Sequence, residues 1–103
     1  MAKSNGEILD RLFAVILSRR EVDPAESYVA QQFQAGTSRI AQKVGEEAVE
    51  TALAALSGDK RELASESADL LFHLMILWAD GGLSPSDVYA ELTRREGISG
   101  LDA

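Results

Sequence analysis

Four carboxylates stand out by spacing. Glu47-x-x-Glu50 is followed, after fifteen intervening residues, by Glu66-x-x-Asp69. Residues three apart share one face of a helix, so each pair can present both acids in one direction. Either pair alone also reads as an ordinary solvated face, with Lys43–Glu47 as an ion pair one turn apart. Two pairs flanking a single glycine turn at Gly58 read differently. Helices joined by a short loop are antiparallel neighbours, so both pairs can meet across one seam. Oxygen ligands without cysteine, and with a single histidine, suit Mg²⁺ or Mn²⁺ and disfavour zinc. A di-iron bundle would need an E-x-x-H from each of two helices, and the residue three before His73 is Leu70.

The elements that must hold these residues are legible from their punctuation. Ser4-x-x-Glu7 reads as a capping box, and Ile8, Leu9, Leu12, Phe13, Ile16 and Leu17 follow at helical spacing to an end near Arg19-Arg20. Asp23-Pro24-Ala25-Glu26 predicts a second start, with Asp as N-cap and Pro at the first helical position, and Gly36 predicts its stop. Thr37 or Ser38 opens a third helix to about Leu56, ended by Ser57-Gly58. Asp59-x-x-Glu62 opens the fourth, running through Trp78 to Gly81-Gly82. Ser84-Pro85-Ser86-Asp87 opens the fifth, which turns Val88, Tyr89 and Leu92 inward and closes at Gly97. No stretch alternates with a strand's period. The expected class is all-α: five helices around a four-helix-bundle-like core, in one domain spanning 1–103.

On the third helix, Val44, Ala48, Val49, Ala52, Leu53, Ala55 and Leu56 cover about one half of the surface. Glu46, Glu47, Glu50, Arg39 and Lys43 occupy the other. The fourth helix is apolar almost all round from Leu70 to Ala79, which predicts burial on most sides. Glu62, Glu66, Asp69 and His73 form a stripe entering that buried stretch. Carboxylates rarely go inside without a partner, so a shared cation is the economical explanation. His73 serves equally as a core histidine, a partner behind a ligand or a proton carrier. Trp78 and Met75 are packing residues, and Tyr28 is left open between core and substrate stacking. A fourth helix so apolar exceeds what one small chain can cover, which predicts a homodimer.

Composition narrows the setting. The net charge of −7 argues against binding nucleic acid through a basic field, yet allows an anionic substrate bridged by cations. Absence of cysteine removes disulfides and thiolate metal sites. The N-terminal residues lack a signal peptide's apolar stretch, and the longest apolar run is broken by His73 and too short to span a bilayer. The expected location is the cytoplasm, with no membrane association.

Lys43-Val44-Gly45-Glu46-Glu47-Ala48-Val49-Glu50 and Glu66-Ser67-Ala68-Asp69-Leu70-Leu71-Phe72-His73 closely resemble the phosphoribosyl-ATP pyrophosphohydrolases, within the MazG-like all-α nucleoside triphosphate pyrophosphatases. The likeness extends to Ser27-Tyr28, Gly36, Val88, Leu92 and Arg95, and so covers almost the whole chain. Phe72 departs from it, standing where the family often has Tyr. The resemblance implies hydrolysis of phosphoribosyl-ATP to phosphoribosyl-AMP and pyrophosphate, the second step of histidine biosynthesis, with phosphoribosyl-AMP cyclohydrolase as functional neighbour. For that chemistry Glu47, Glu50, Glu66 and Asp69 are the expected Mg²⁺ ligands, and Glu46 with Glu47 the catalytic acids, Glu46 completing the shell or orienting water. Arg39 and Lys43, on successive turns beyond the acids, are the expected grip on the diphosphate, against a purely ion-pairing role with Glu46 and Glu47. Arg94 and Arg95 are further candidates from another subunit. Two competitors remain: a house-cleaning pyrophosphatase using the same metal site on other nucleoside triphosphates, and a non-catalytic helical dimerisation module.

Overall fold

A computed structural model describes residues 5–100. Five helices follow in chain order: α1 (Glu7–Ser18), α2 (Tyr28–Ala35), α3 (Thr37–Ser57), α4 (Lys60–Asp80) and α5 (Pro85–Arg95). Among the described residues there is no strand, and no helix long and apolar enough to cross a membrane. The long pair α3 and α4 forms the spine, turned back on itself at Gly58, whose left-handed backbone (φ 79°) closes α3. Asp59 then caps α4, its Oδ1 accepting from the N–H groups of Arg61 and Glu62. A single glycine and a single aspartate thus set the antiparallel register on which the acid pairs depend.

The core sits at one end of the spine. Ile16, Ile40, Met75 and Ile76 are fully buried, joined by Phe13, Val29 and Ala79, with Phe33, Phe72, Leu77 and Trp78 packed around them. These residues come from α1, α2, the start of α3 and the second half of α4. Met75 and Trp78 are packing residues, as their positions suggested. Thr37 Oγ1 donates to Asp80 Oδ2 at 2.6 Å and pins this end of the α3–α4 pair. Helix α5 begins with the expected capping box, Ser84 with Asp87, and Pro85 at the first helical position. Tyr89 ties it to α1 through its hydroxyl, 3.2 Å from Asp10 Oδ1.

Three expectations need correction. Residues 23–26 do not open α2. The Ala25 N–H bonds Asp23 Oδ1 and the Glu26 N–H bonds the Asp23 carbonyl, both at 2.9 Å, so this stretch closes as a separate turn. Helix α2 starts four residues later, capped by Ser27, whose Oγ accepts from the Ala30 N–H. At α1 the Ser4 half of the anticipated capping box lies outside the described residues; there Asn5 Oδ1 accepts from the Glu7 N–H. Leu92 on α5 is 61% exposed instead of inward. The third concerns where apolar surface is left bare, and it turns on α3, whose acid face enters the seam as the pairing of the acids required. Its apolar half faces out, with Val49, Leu53 and Leu56 at 60%, 59% and 84% exposure, while Glu47 is buried at 8%. Uncovered apolar surface was expected on α4; more of it lies on α3, because α1 and α2 cover the apolar half of α4.

Candidate metal and catalytic site

With its acid face turned inward, α3 brings Glu47 against Glu66 and Asp69 of α4. One carboxylate oxygen from each of these three residues lies within 4.8 Å of the others. Glu50 stands beside Glu47 and Glu66, close enough that its charge and its oxygens act on both. The seam therefore gathers all four acids of the two spaced pairs. The oxygens Glu47 Oε2 and Glu66 Oε2 are buried and accept no hydrogen bond from the protein. Such orphaned anionic oxygens are costly, since a buried carboxylate without compensation loses its hydration for nothing.

Electrostatics express the same tension. Burial pushes the Glu47 carboxyl above the ordinary carboxylate range, and Glu50 and Asp69 push it further against the opposing pull of Lys43. Glu66 is raised likewise, by burial first and then by Glu50, Asp69 and Glu47. A divalent cation reverses each of these penalties. Hard oxygen donors, clustered, buried in part and mutually repelling, match what Mg²⁺ or Mn²⁺ takes.

The cations of α3 lie at the rim. Lys43 Nζ is 3.5 Å from Glu46 Oε2 and 3.6 Å from Glu47 Oε1. Burial opposes its charge, but Glu46, Tyr28 and Glu47 outweigh that and raise its pKa. Arg39 reaches Glu46 at 3.8 Å with its guanidinium largely in solvent. Glu46 is drawn to these groups and away from the three converging acids. Gln42 Nε2 donates to it at 2.8 Å, and that bond, with Lys43 and Arg39, holds its carboxyl below the ordinary range. Arg94 and Arg95 are engaged with Glu91, at 2.6 and 2.9 Å.

His73 is buried one turn beyond Asp69, its Nε2 4.0 Å from Glu47 Oε1. Burial, and then Lys43, keep its pKa below the usual histidine value, so it is neutral near pH 7. Tyr28 and Phe72 both meet its ring edge-on, at centroid distances of 5.7 and 5.3 Å. Thr51 escaped the sequence reading. Its Oγ1 lies 2.8 Å from the Glu47 carbonyl and 3.1 Å from the Glu66 carbonyl. Nothing in sequence marks a helical threonine as a bridge until the partner helix is in place.

Comparison with known proteins points the same way. Residues 9–96 match the family model described as phosphoribosyl-ATP pyrophosphohydrolase. A phosphoribosyl-ATP pyrophosphatase of Azospirillum brasilense is 57% identical over 99 residues, covering 96% of this chain and 89% of that protein. Its counterpart from Paramagnetospirillum magneticum is 56% identical over 98 residues, covering 95% and 90%. That from Rhizorhabdus wittichii is 58% identical over 93 residues, covering 90% and 88%.

Proposed function

The chain belongs to the phosphoribosyl-ATP pyrophosphohydrolase family, and on that premise we propose how the α3–α4 seam carries the reaction. The chain hydrolyses phosphoribosyl-ATP to phosphoribosyl-AMP and pyrophosphate, the second step of L-histidine biosynthesis; phosphoribosyl-AMP cyclohydrolase takes up the product. Water forms a new bond to phosphorus while the bridging oxygen between the α- and β-phosphates departs. The observation that carries the site is the pair of orphaned buried oxygens, Glu47 Oε2 and Glu66 Oε2, beside Asp69.

Glu47, Glu50, Glu66 and Asp69 are the residues that hold Mg²⁺, with Mn²⁺ as substitute. Bound there, the ion supplies neutralisation of phosphate oxygens and acidification of water. Glu47 and Glu46 flank the water's approach: Glu47 from the buried wall, Glu46 from the half-exposed rim. Lys43 and Arg39 extend beyond the acids along α3, where they grip the diphosphate part of the substrate. Their ion pairs to Glu46 and Glu47 hold those side chains extended before substrate arrives. Neutral, buried His73 lines the seam beside Glu47, its Nε2 4.0 Å from Oε1.

The apolar outward half of α3 is proposed to pack on a second copy of this chain in the cytoplasm. Val49, Leu53 and Leu56 recur at four- and three-residue spacing with small, exposed Ala52 and Ala55 between them, a pattern that admits a close helix partner. A two-fold arrangement would complete a four-helix core.

Glu47→Gln and Asp69→Asn test the catalytic reading. Each is expected to lower pyrophosphate release from phosphoribosyl-ATP by about a hundredfold or more while the circular dichroism of a helical fold is retained. Turnover close to wild type in either variant counts against the metal site. Equal release from deoxynucleoside triphosphates would favour the house-cleaning activity instead.

A further inference from the structure

We infer that Thr51 is a positioning residue: its hydroxyl ties α3 to α4 and sets the spacing of the acids that receive the cation. Thr51 lies one turn after Glu47 and immediately after Glu50, half-buried in the seam. Its 2.8 Å approach to the Glu47 carbonyl is a bond many helical threonines make to the preceding turn. The second approach is different. At 3.1 Å from the Glu66 carbonyl it crosses to the other helix, fifteen residues on. The hydroxyl has one proton, so it is shared between the backbone beneath Glu47 and the backbone beneath Glu66.

Few polar ties join α3 and α4 elsewhere. Thr37–Asp80 pins the far end, and Ser57 Oγ meets Glu62 near the loop at a long 3.4 Å. At the level of Glu47 and Glu66 the two helices face each other through carboxylates, and like charges this close press the helices apart. Thr51 is a neutral donor at that level, so it resists the separation without adding charge. A preformed gap is what a metal site needs, because ligands held near their final spacing lose less freedom on binding.

This inference rests on the metal reading above and has its own test. Mg²⁺ is titrated calorimetrically into wild type, Thr51→Val and Thr51→Ser, and each Mg²⁺-free protein is melted alongside. Valine keeps the volume and branching and removes the donor; serine keeps the donor. The expected result is Mg²⁺ binding about three- to tenfold weaker in Thr51→Val, with Thr51→Ser within about twofold of wild type. Mg²⁺-free melting of Thr51→Val is expected to fall by a few degrees, as the loss of one tie between the helices requires, with Thr51→Ser near wild type; the loss of Mg²⁺ affinity, read on protein that is still folded, is the change a merely structural threonine would not produce. Should Thr51→Val fail to fold, Thr51→Ala is read in its place with the same expected loss. Wild-type affinity in the hydroxyl-free variant overturns the inference, as does an equal loss in Thr51→Ser. No Mg²⁺ binding by wild type at all would sink the metal reading itself, a result distinct from tight binding that Thr51→Val leaves untouched.

Discussion

Helices α3 and α4 meet twice, and the two meetings are opposite in chemistry. At one end Ile40 packs with Met75, Ile76 and Ala79, under cover of Phe13 and Ile16 from α1 and Val29 from α2. At the other, Glu47, Glu50 and Thr51 face Glu66 and Asp69, and none of these belongs to the apolar cluster. The first contact is favourable unaided, because burying apolar area is. The second is unfavourable by itself, because burial and neighbouring like charges both oppose ionised carboxylates. A rigid apolar end therefore acts as the clamp that keeps a self-repelling end assembled, and the strain of the acids is carried by residues about two turns away. Division of labour along one helix pair lets a chain of 103 residues hold a charged site at all.

The most damaging way to probe this contrast is to weaken the clamp. Ile76 is fully buried, and Ile76→Ala is expected to cost about 2–5 kcal/mol in urea unfolding. That is a large part of what a small domain has. Molecules that stay folded should still bind Mg²⁺ with unchanged affinity, since no ligand has moved. If the variant lost little stability, the apolar end would not be the clamp and the comparison would fail.

A smaller effect is expected from the back of the acid-bearing stretch. Leu53→Glu places a charge in the bare apolar face of α3 without touching the carboxylates on the other side. Light scattering should find wild type dimeric and the variant dissociating at about thirtyfold or more higher concentration, equivalent to losing an anchor of about 2 kcal/mol. A monomeric wild type at working concentrations would leave Val49, Leu53 and Leu56 to some other neighbour.

How much of this was readable beforehand divides along the same line. The helix boundaries at Gly36, Gly58, Asp59 and Ser84 rest on local chemistry, caps and left-handed turns, which act over three or four residues. The pairing of Glu47-x-x-Glu50 with Glu66-x-x-Asp69 followed from helical periodicity and one short loop. What periodicity could not supply was which apolar surface stays bare. On α3 an apolar half and an acid half look, by the usual rule, like inside and outside, and the protein reverses them. That reversal depends on α4, whose N-terminal half is itself acidic, and on whatever covers Val49, Leu53 and Leu56. Asp23-Pro24 misled for a related reason: a side chain that can cap a helix can also close a lone turn, and the Glu26 bond to the Asp23 carbonyl made it the latter. Thr51 gave no local signal because its second acceptor belongs to another helix.

The smallest effect is the most specific to the acid end, and it concerns pH. Without metal, burial and then Glu50 hold the Glu66 carboxyl above its ordinary value, so the folded protein binds that proton more tightly than the unfolded chain does. Where the native state holds more protons, stability falls as pH rises. Replacing Glu66 by Gln removes one of these liabilities, so in EDTA the variant should be more stable than wild type at pH 7. Its advantage, compared at pH 7 and in a buffer of about pH 5, should shrink in the more acid one, because the raised carboxyl of wild-type Glu66 takes up its proton more readily than that of the unfolded chain. Neutral His73 works in the opposite direction, because the unfolded chain protonates its histidine first as pH falls. It is present in both proteins and cancels in their difference. Urea midpoints for the pair at the two pH values give that difference directly. Saturating Mg²⁺ should then invert the order, since only wild type keeps the full ligand set and gains stability by binding. An advantage of Glu66→Gln that stayed the same at both pH values would mean that Glu66 is an ordinary solvated acid, and one that grew on acidification that it is favourably paired; either result would mean that the two ends of the α3–α4 pair do not differ in the way their geometry suggests.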